Sequence, residues 1–258
     1  MAWLLVGFLV TAALYASVGF GGGSTYSALL VVAGTDYRLI PVISLLCNLA
    51  VVSGGSLTFR KRGWLDSRLA FPLAATSVPF AWLGGATPIG RDSFLAILGG
   101  MLVAAGLLLL RPEAPETPSP EATYRPRPLL APLLGAGFGY AAGLVGIGGG
   151  IFLAPALHLS RMAPARTIAA TTSVFILLNS LAGLAGQAYK LRGTGLPGEA
   201  VPYLMLLPAV LIGGRIGSLA GASVLPATLL RRVTGLLIVL VGGRLLLAWW
   251  SLGSAAAE

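Results

Sequence analysis

The residues of this chain that could do chemistry are glycines more than reactive side chains. GLVGIGGGIFLAP at 143–155 sets Gly146, Gly148, Gly149 and Gly150 inside an apolar run. SVGFGGGSTYSAL at 17–29 repeats the pattern with Gly21, Gly22 and Gly23. Each cluster should break a helix. Each is followed by a short apolar piece, 24–34 or 151–160, which at about 1.5 Å per residue crosses only half of the hydrocarbon. A helix that starts there leaves its first backbone N–H groups unpaired, at the positive end of its dipole. Glycine lets a ligand approach that backbone closely and permits positive φ. Together these features describe an anion site. Ser24 and Thr25 add hydroxyl donors in the first cluster, where the second has Ile151 and Phe152. The competing reading is that the glycines only let helices pack closely, as small residues do in membranes. A matched pair, each before a half-length helix, favours the site.

Other polar residues could complete an anion's shell. AATTS at 169–173 supplies Thr171, Thr172 and Ser173, and Asn179 follows; Ser44 and Asn48 are rough counterparts earlier in the chain. Such side chains can equally bond neighbouring helices or carbonyls of their own helix. Arg215, roughly opposite a stripe of Gly213, Gly217 and Gly221, could balance a substrate's charge or snorkel to the surface. Arg38 and Arg166 read as topology signals. His158 titrates near neutrality if unperturbed, but at the end of a half-helix it reads first as an interfacial residue. Asp36, Asp66, Asp92 and Glu199 all lie near segment ends, which argues against a buried carboxylate relay.

The elements that must hold these residues are membrane helices. Of the 258 residues 56% are hydrophobic and 10% charged, with mean hydropathy +0.89, against roughly 25% charged in soluble domains. Apolar segments fall near 2–20, 39–59, 69–88, 93–110, 129–146, 164–189, 200–222 and 233–250. The net charge of +9 sits in clusters between these runs, as the positive-inside rule expects, and excludes nucleic acid as a partner. The single Cys47 and single His158 offer no disulfide, no metal site and no cofactor. The first segment lacks a positive n-region and reads as a retained helix.

RPEAPETPSPEATYRPRP at 111–128 reads as a linker. It divides a first repeat, 1–110, from a second, 129–258. GFGGG at 19–23 matches GIGGG at 146–150, Pro72 and Pro79 match Pro202 and Pro208, and RKRG at 60–63 matches KLRG at 190–193. An internal duplication is the common build of secondary transporters. Eight plain spans would divide the flanking Lys and Arg nine to six. If 2–34 and 129–160 are re-entrant hairpins, the halves are inverted and the division is eleven to four, leaving Arg38, Arg91, Lys190 and Arg192 on the poor side. The second arrangement is favoured and puts both termini outside the cytoplasm. Segments 2–20 and 129–146 are long enough to span, so a hairpin with one full arm and one half arm stays open. The expected fold is an all-α polytopic membrane protein with inverted repeats, each carrying a glycine-broken helix.

GLVGIGGGIFLAPAL followed by ARTIAATTSVF resembles the TauE/SafE sulfite-exporter family of bacterial membrane proteins. The family's glycine stretch falls on Gly146, Gly148, Gly149, Gly150 and Pro155, and its small-residue stretch on Ala169, Thr172 and Ser173. The first half departs from it: Ala28 stands in place of Pro155, and Ser44 alone in place of the TTS run. The resemblance implies movement of sulfite, sulfoacetate or other organosulfonates and organic acids; the glycine breaks point independently to an anion, the sulfur does not come from them. The expectation is a secondary transporter in a bacterial inner membrane, holding a small anion between the two breaks and working by alternating access. An anion channel is the first alternative, and a membrane-embedded enzyme or assembly factor the alternative of another class. Beyond substrate and bilayer, a homodimer is expected from transporter habit alone.

Overall fold

The computed structural model describes residues 1–17, 20–111, 129–160, 162–220 and 227–255. Gly19, the linker from 112 onward, Arg161 and Gly221 therefore lie outside the described residues. The described residues are helical: α1 (Ala2–Ser17), α2 (Gly23–Val32), α3 (Ile40–Lys61), α4 (Ser67–Ala86), α5 (Arg91–Leu110), α6 (Leu130–Val145), α7 (Gly150–Leu159), α8 (Ala165–Lys190), α9 (Leu196–Glu199), a 3-10 turn (Val201–Met205), α10 (Leu206–Ala220) and α11 (Ala227–Ala255). Among them, six stretches are long and apolar enough to cross a membrane: α3, α4, α5, α8, Val201–Leu219 and Thr234–Ser251.

The two half-helices form as the glycines require. Each is ten residues long. Gly22 and Gly149 precede them with φ 81 and φ 77, the left-handed region open to glycine. The segments before the breaks are shorter than the sequence suggested. α1 and α6 have 16 residues each, about 24 Å of helix, because the backbone is already released at Ser17 and Val145. Each pairs with its half-helix as a hairpin: Phe8 stacks on Tyr26 at 4.6 Å and the Tyr15 hydroxyl meets the Thr25 hydroxyl at 3.0 Å, while Phe138 stacks on Phe152 at 5.8 Å. The hairpins thus have one long arm and one short one. The expected segment 200–222 is divided, with a 3-10 turn ahead of α10; Pro202 and Pro208 lack the N–H groups a continuous helix would use.

Close packing runs along small residues. α4 lies parallel to α6: methyl groups on Gly135, Gly139 and Gly143 would strike the backbone at Leu73, Ser77 and Ala81. α1 lies parallel to α10 in the same way, with Gly213 against Leu9 and Gly217 against Ala13. By contrast, α3 and α8 run antiparallel, since Leu45 meets Gly183 and Ser56 meets Ser173. So do α5 and α11, where Gly99 meets Gly242 and Gly106 meets Gly235. If α1 to α5 are matched in order to α6, α7, α8, α10 and α11, each of these four pairings maps onto itself or onto another of the four. Large side chains such as Phe71, Leu129, Leu219 and Trp250 are left facing outward, as lipid contact demands.

Candidate functional site

The two breaks meet. Asn48 of α3 donates from Nδ2 to the carbonyl oxygen of Ile147, in the second break, at 3.4 Å. A methyl group on Gly23 would lie 2.5 Å from that same oxygen. Gly21 and Gly148 each face both Asn48 and Ile176: added methyls would come within 3.1 Å of Asn48 Cγ for Gly21 and 2.8 Å of Nδ2 for Gly148. Gly150 faces Ile176 and Thr172. Asn48 is the ninth residue of the 22 in α3, and Ile176 the twelfth of the 26 in α8. The junction therefore sits near the middle of the two long central helices.

Neither half-helix has a side-chain cap on its first turn, so the orphan amides there are left for another acceptor. Around them the polar groups are fully enclosed. Ser44 Oγ donates to the Gly23 carbonyl at 3.0 Å. Ser24 and Thr25 are buried in the first turn of α2, and the Thr25 hydroxyl bonds Tyr15. Ser173 Oγ bonds Ser56 Oγ at 2.9 Å across α3 and α8. The hydroxyls of Thr171 and Thr172, the Oδ1 of Asn48 and both polar atoms of Asn179 are buried with no bonding partner. Burying such groups unpaired is costly; those of Asn48 and Thr172 lie at the junction, those of Thr171 and Asn179 on α8 beside it, and others lie elsewhere, on Tyr26, Ser27, Thr35, Ser77, Ser180 and Gln187. The glycines pack tightly enough that no group enters between them without movement of the breaks.

Of the residues singled out in the sequence, Gly21, Gly22, Gly23, Ser24, Thr25, Ser44, Asn48, Gly148, Gly149, Gly150 and Thr172 are at the junction. Thr171, Ser173 and Asn179 are buried on α8 beside it. Arg215 is not brought in; it is exposed on α10, away from the Gly213 and Gly217 face that packs on α1. His158 and Arg166 are exposed at the far ends of α7 and the near end of α8. Arg38 forms a bidentate pair with Asp36, Nη2 to Oδ2 at 2.6 Å, and this hydrogen bond holds the Asp36 carboxyl below its usual range.

Four participants were not singled out beforehand: Tyr15, Ser56, Ile147 through its carbonyl, and Ile176. Ser56 had a signal, for Ser44, Asn48, Val52 and Ser56 recur every four residues along α3, one face of a helix. Gln187, fully buried and donating to the Gly143 carbonyl at 2.9 Å, extends the same logic on α8.

The family described as Sulfite exporter TauE/SafE matches residues 3–245. A protein described as a probable membrane transporter protein, y4hK of Sinorhizobium fredii, is 33% identical over 244 residues, covering 94% of this chain and 97% of the relative. No solved structure matches the chain significantly.

Proposed function

This chain belongs to the TauE/SafE sulfite-exporter family and is a membrane transporter, not an enzyme; from that premise we propose that it carries a small anion through the junction of its two glycine breaks by alternating access. The observation that carries the reading is the shared contact of both breaks with Asn48 and Ile176, half-way along α3 and α8. Irregular backbone is tolerated at that depth where protein buries it or water reaches it, and two uncapped half-helix starts direct positive dipole ends there. The family description favours sulfite, or an organosulfonate or organic acid such as sulfoacetate, as the anion.

The antiparallel α3·α8 and α5·α11 pairs support inverted repeats. On this reading helices in equivalent places of the two halves run in opposite directions, and the second half is turned over relative to the first. One half can then rock against the other about the central pair and expose the junction to each face in turn. The hairpins support the re-entrant arrangement, in which eleven Lys and Arg flank one end of the bundle and four the other. The rich end, with Arg60, Lys61, Arg62 and Arg68, is then cytoplasmic in a bacterial inner membrane, and the poor end and both termini face outward. Export of an anion from a negative interior is electrically downhill, so a uniporter suffices.

Counterflow in proteoliposomes loaded with a panel of labelled anions, sulfite and sulfoacetate among them, tests this. One or more of them should exchange at carrier rates, without single-channel currents, and Gly149→Val should abolish the exchange. A β-branched residue there must adopt positive φ and meet the Phe138 carbonyl oxygen and the Phe175 ring at 3.0 Å. Currents of channel size, or full exchange by the variant, would reject the mechanism.

A further inference from the structure

The structure carries a cavity that the junction does not use. It has a volume of about 240 Å³. It opens at the end of the bundle with few basic residues. Its walls come from both halves: Tyr37 and Arg38 from the turn after α2, Pro41 from α3, Phe94 from α5, Leu144 from the tip of α6, and Lys190 from the end of α8. The lining is mostly apolar, with two cations and, among the described residues, no acid.

The two cations are not equivalent. Arg38 is neutralised by Asp36 and lies over the Tyr37 ring at 5.8 Å. Lys190 is half-buried and, among the described residues, makes no ion pair. Its charge is the one the cavity presents unanswered. In the same lining, Tyr37 and Phe94 pack ring to ring at 5.7 Å. The floor touches the second break: Pro41 packs directly on Gly146, whose added methyl would lie 2.9 Å from the Pro41 carbonyl oxygen. Any movement of that break therefore changes the cavity.

We propose that this cavity is a docking site, at the outer mouth of the transport path, for a small organic anion, with Lys190 as countercharge and the Tyr37–Phe94 pair against the ligand's apolar body. A concave, mostly apolar site with one placed charge suits a short-chain sulfonate or carboxylate better than a fully hydrated inorganic anion. The proposal rests on the transporter reading for its place on the path, but not for its test.

Thr194 is exposed and lines the cavity, so Thr194→Cys in a Cys47→Ala background reports on it. The thiol is labelled in purified protein with an anionic and a cationic methanethiosulfonate, each rate normalised to a free thiol. The anionic reagent should react roughly five- to tenfold faster, as one nearby positive charge acting oppositely on the two reagents predicts. Lys190→Gln should erase the preference and Lys190→Arg restore it. Propanesulfonate should protect the thiol, and sulfate at equal concentration should protect far less. Equal rates in the parent, a preference that survives Lys190→Gln, or no protection by propanesulfonate would overturn the proposal. Equal protection by sulfate would overturn its organic class. Charge-selective labelling without any counterflow would sink the transporter reading and leave the site; counterflow without it would do the reverse.

Discussion

Gly22 and Gly149 make the same left-handed turn, at φ 81 and 77, and start helices of equal length, yet the surroundings of the two turns differ in kind. Around the first lie Ser24, Thr25, Ser44 and Asn48, with hydrogen bonds from Ser44 to Gly23 and between Thr25 and Tyr15. Around the second lie Ile151, Phe152, Thr172 and Ile176, with Phe152 stacked on Phe138 and the Thr172 hydroxyl unpaired. Asn48 and Ile176 each face both breaks, and the polar group also serves the second: Asn48 donates to the Ile147 carbonyl from the first half of the chain. The backbone device is the same at both breaks, while the side chains around it differ. If the junction is the anion site proposed above, backbone amides come from both breaks and hydroxyl side chains chiefly from the first.

The largest effect that separates them should come from alanine at Gly148 and at Gly21. Gly148 has φ 80, whereas Gly21 has an ordinary φ. Alanine at 148 must bear left-handed strain of about 1–3 kcal/mol and also press on Asn48 and Ile176. Alanine at 21 presses on the end of the Asn48 side chain, which can turn aside. Gly148→Ala should lose nearly all counterflow and Gly21→Ala only part. Equal losses would mean that both backbones are held to the same tolerance, and the asymmetry would lie in side chains alone.

Much of this organisation was visible in the residue order, and the reason is local. Glycine clusters and the length of the apolar run after them fix a break and a ten-residue helix without reference to the rest of the chain. The partners of the breaks were harder. Ile176 carries no polar signal, and its place opposite Asn48 exists only once α3 and α8 cross antiparallel. Arg215 could face inward or outward, because a glycine stripe says which face packs but not what lies on the other. The 3-10 turn before α10 was hidden inside an apolar segment that hydropathy treats as one piece. Hydropathy also cannot see the cavity at Lys190, whose walls come from four separated stretches.

A smaller effect should follow from exchanging the polar contact at the junction. Asn48→Leu removes the donor to the Ile147 carbonyl and leaves that oxygen unpaired in a closed space. One such bond is worth about 0.5–1.5 kcal/mol, so transport should fall roughly two- to tenfold where the bond is stronger in the rate-limiting state than in the resting one. Ile176→Leu, a near volume-conserving change at the equivalent position, should leave the rate within about twofold. Initial counterflow rates of both proteins decide the matter. Comparable losses would show that shape, and not Asn48's polarity, is what the junction requires, and the contrast between the halves would weaken.

The smallest effect belongs to the turns that return each half-helix to its long helix. After α7 the chain turns at Ser160 and Pro164, which caps α8 without a side-chain bond. After α2 it turns through Asp36, whose carboxylate accepts from the Arg38 backbone at 2.8 Å and from its guanidinium. That pairing lowers the Asp36 pKa. A lowered folded-state pKa gives stability that is present above the unfolded value, about 3.9 for aspartate, and is lost as pH falls through the folded value. Asp36→Asn should therefore lower the melting temperature slightly at pH 7, and the gap to the parent should close as pH drops below about 4. The pair is exposed, so the shift should be small and shrink further in high salt. Melting curves across pH in detergent read this out; a gap that persisted at low pH would assign the stabilisation to the turn's shape, and the two turns would then differ in sequence without differing in how they are held.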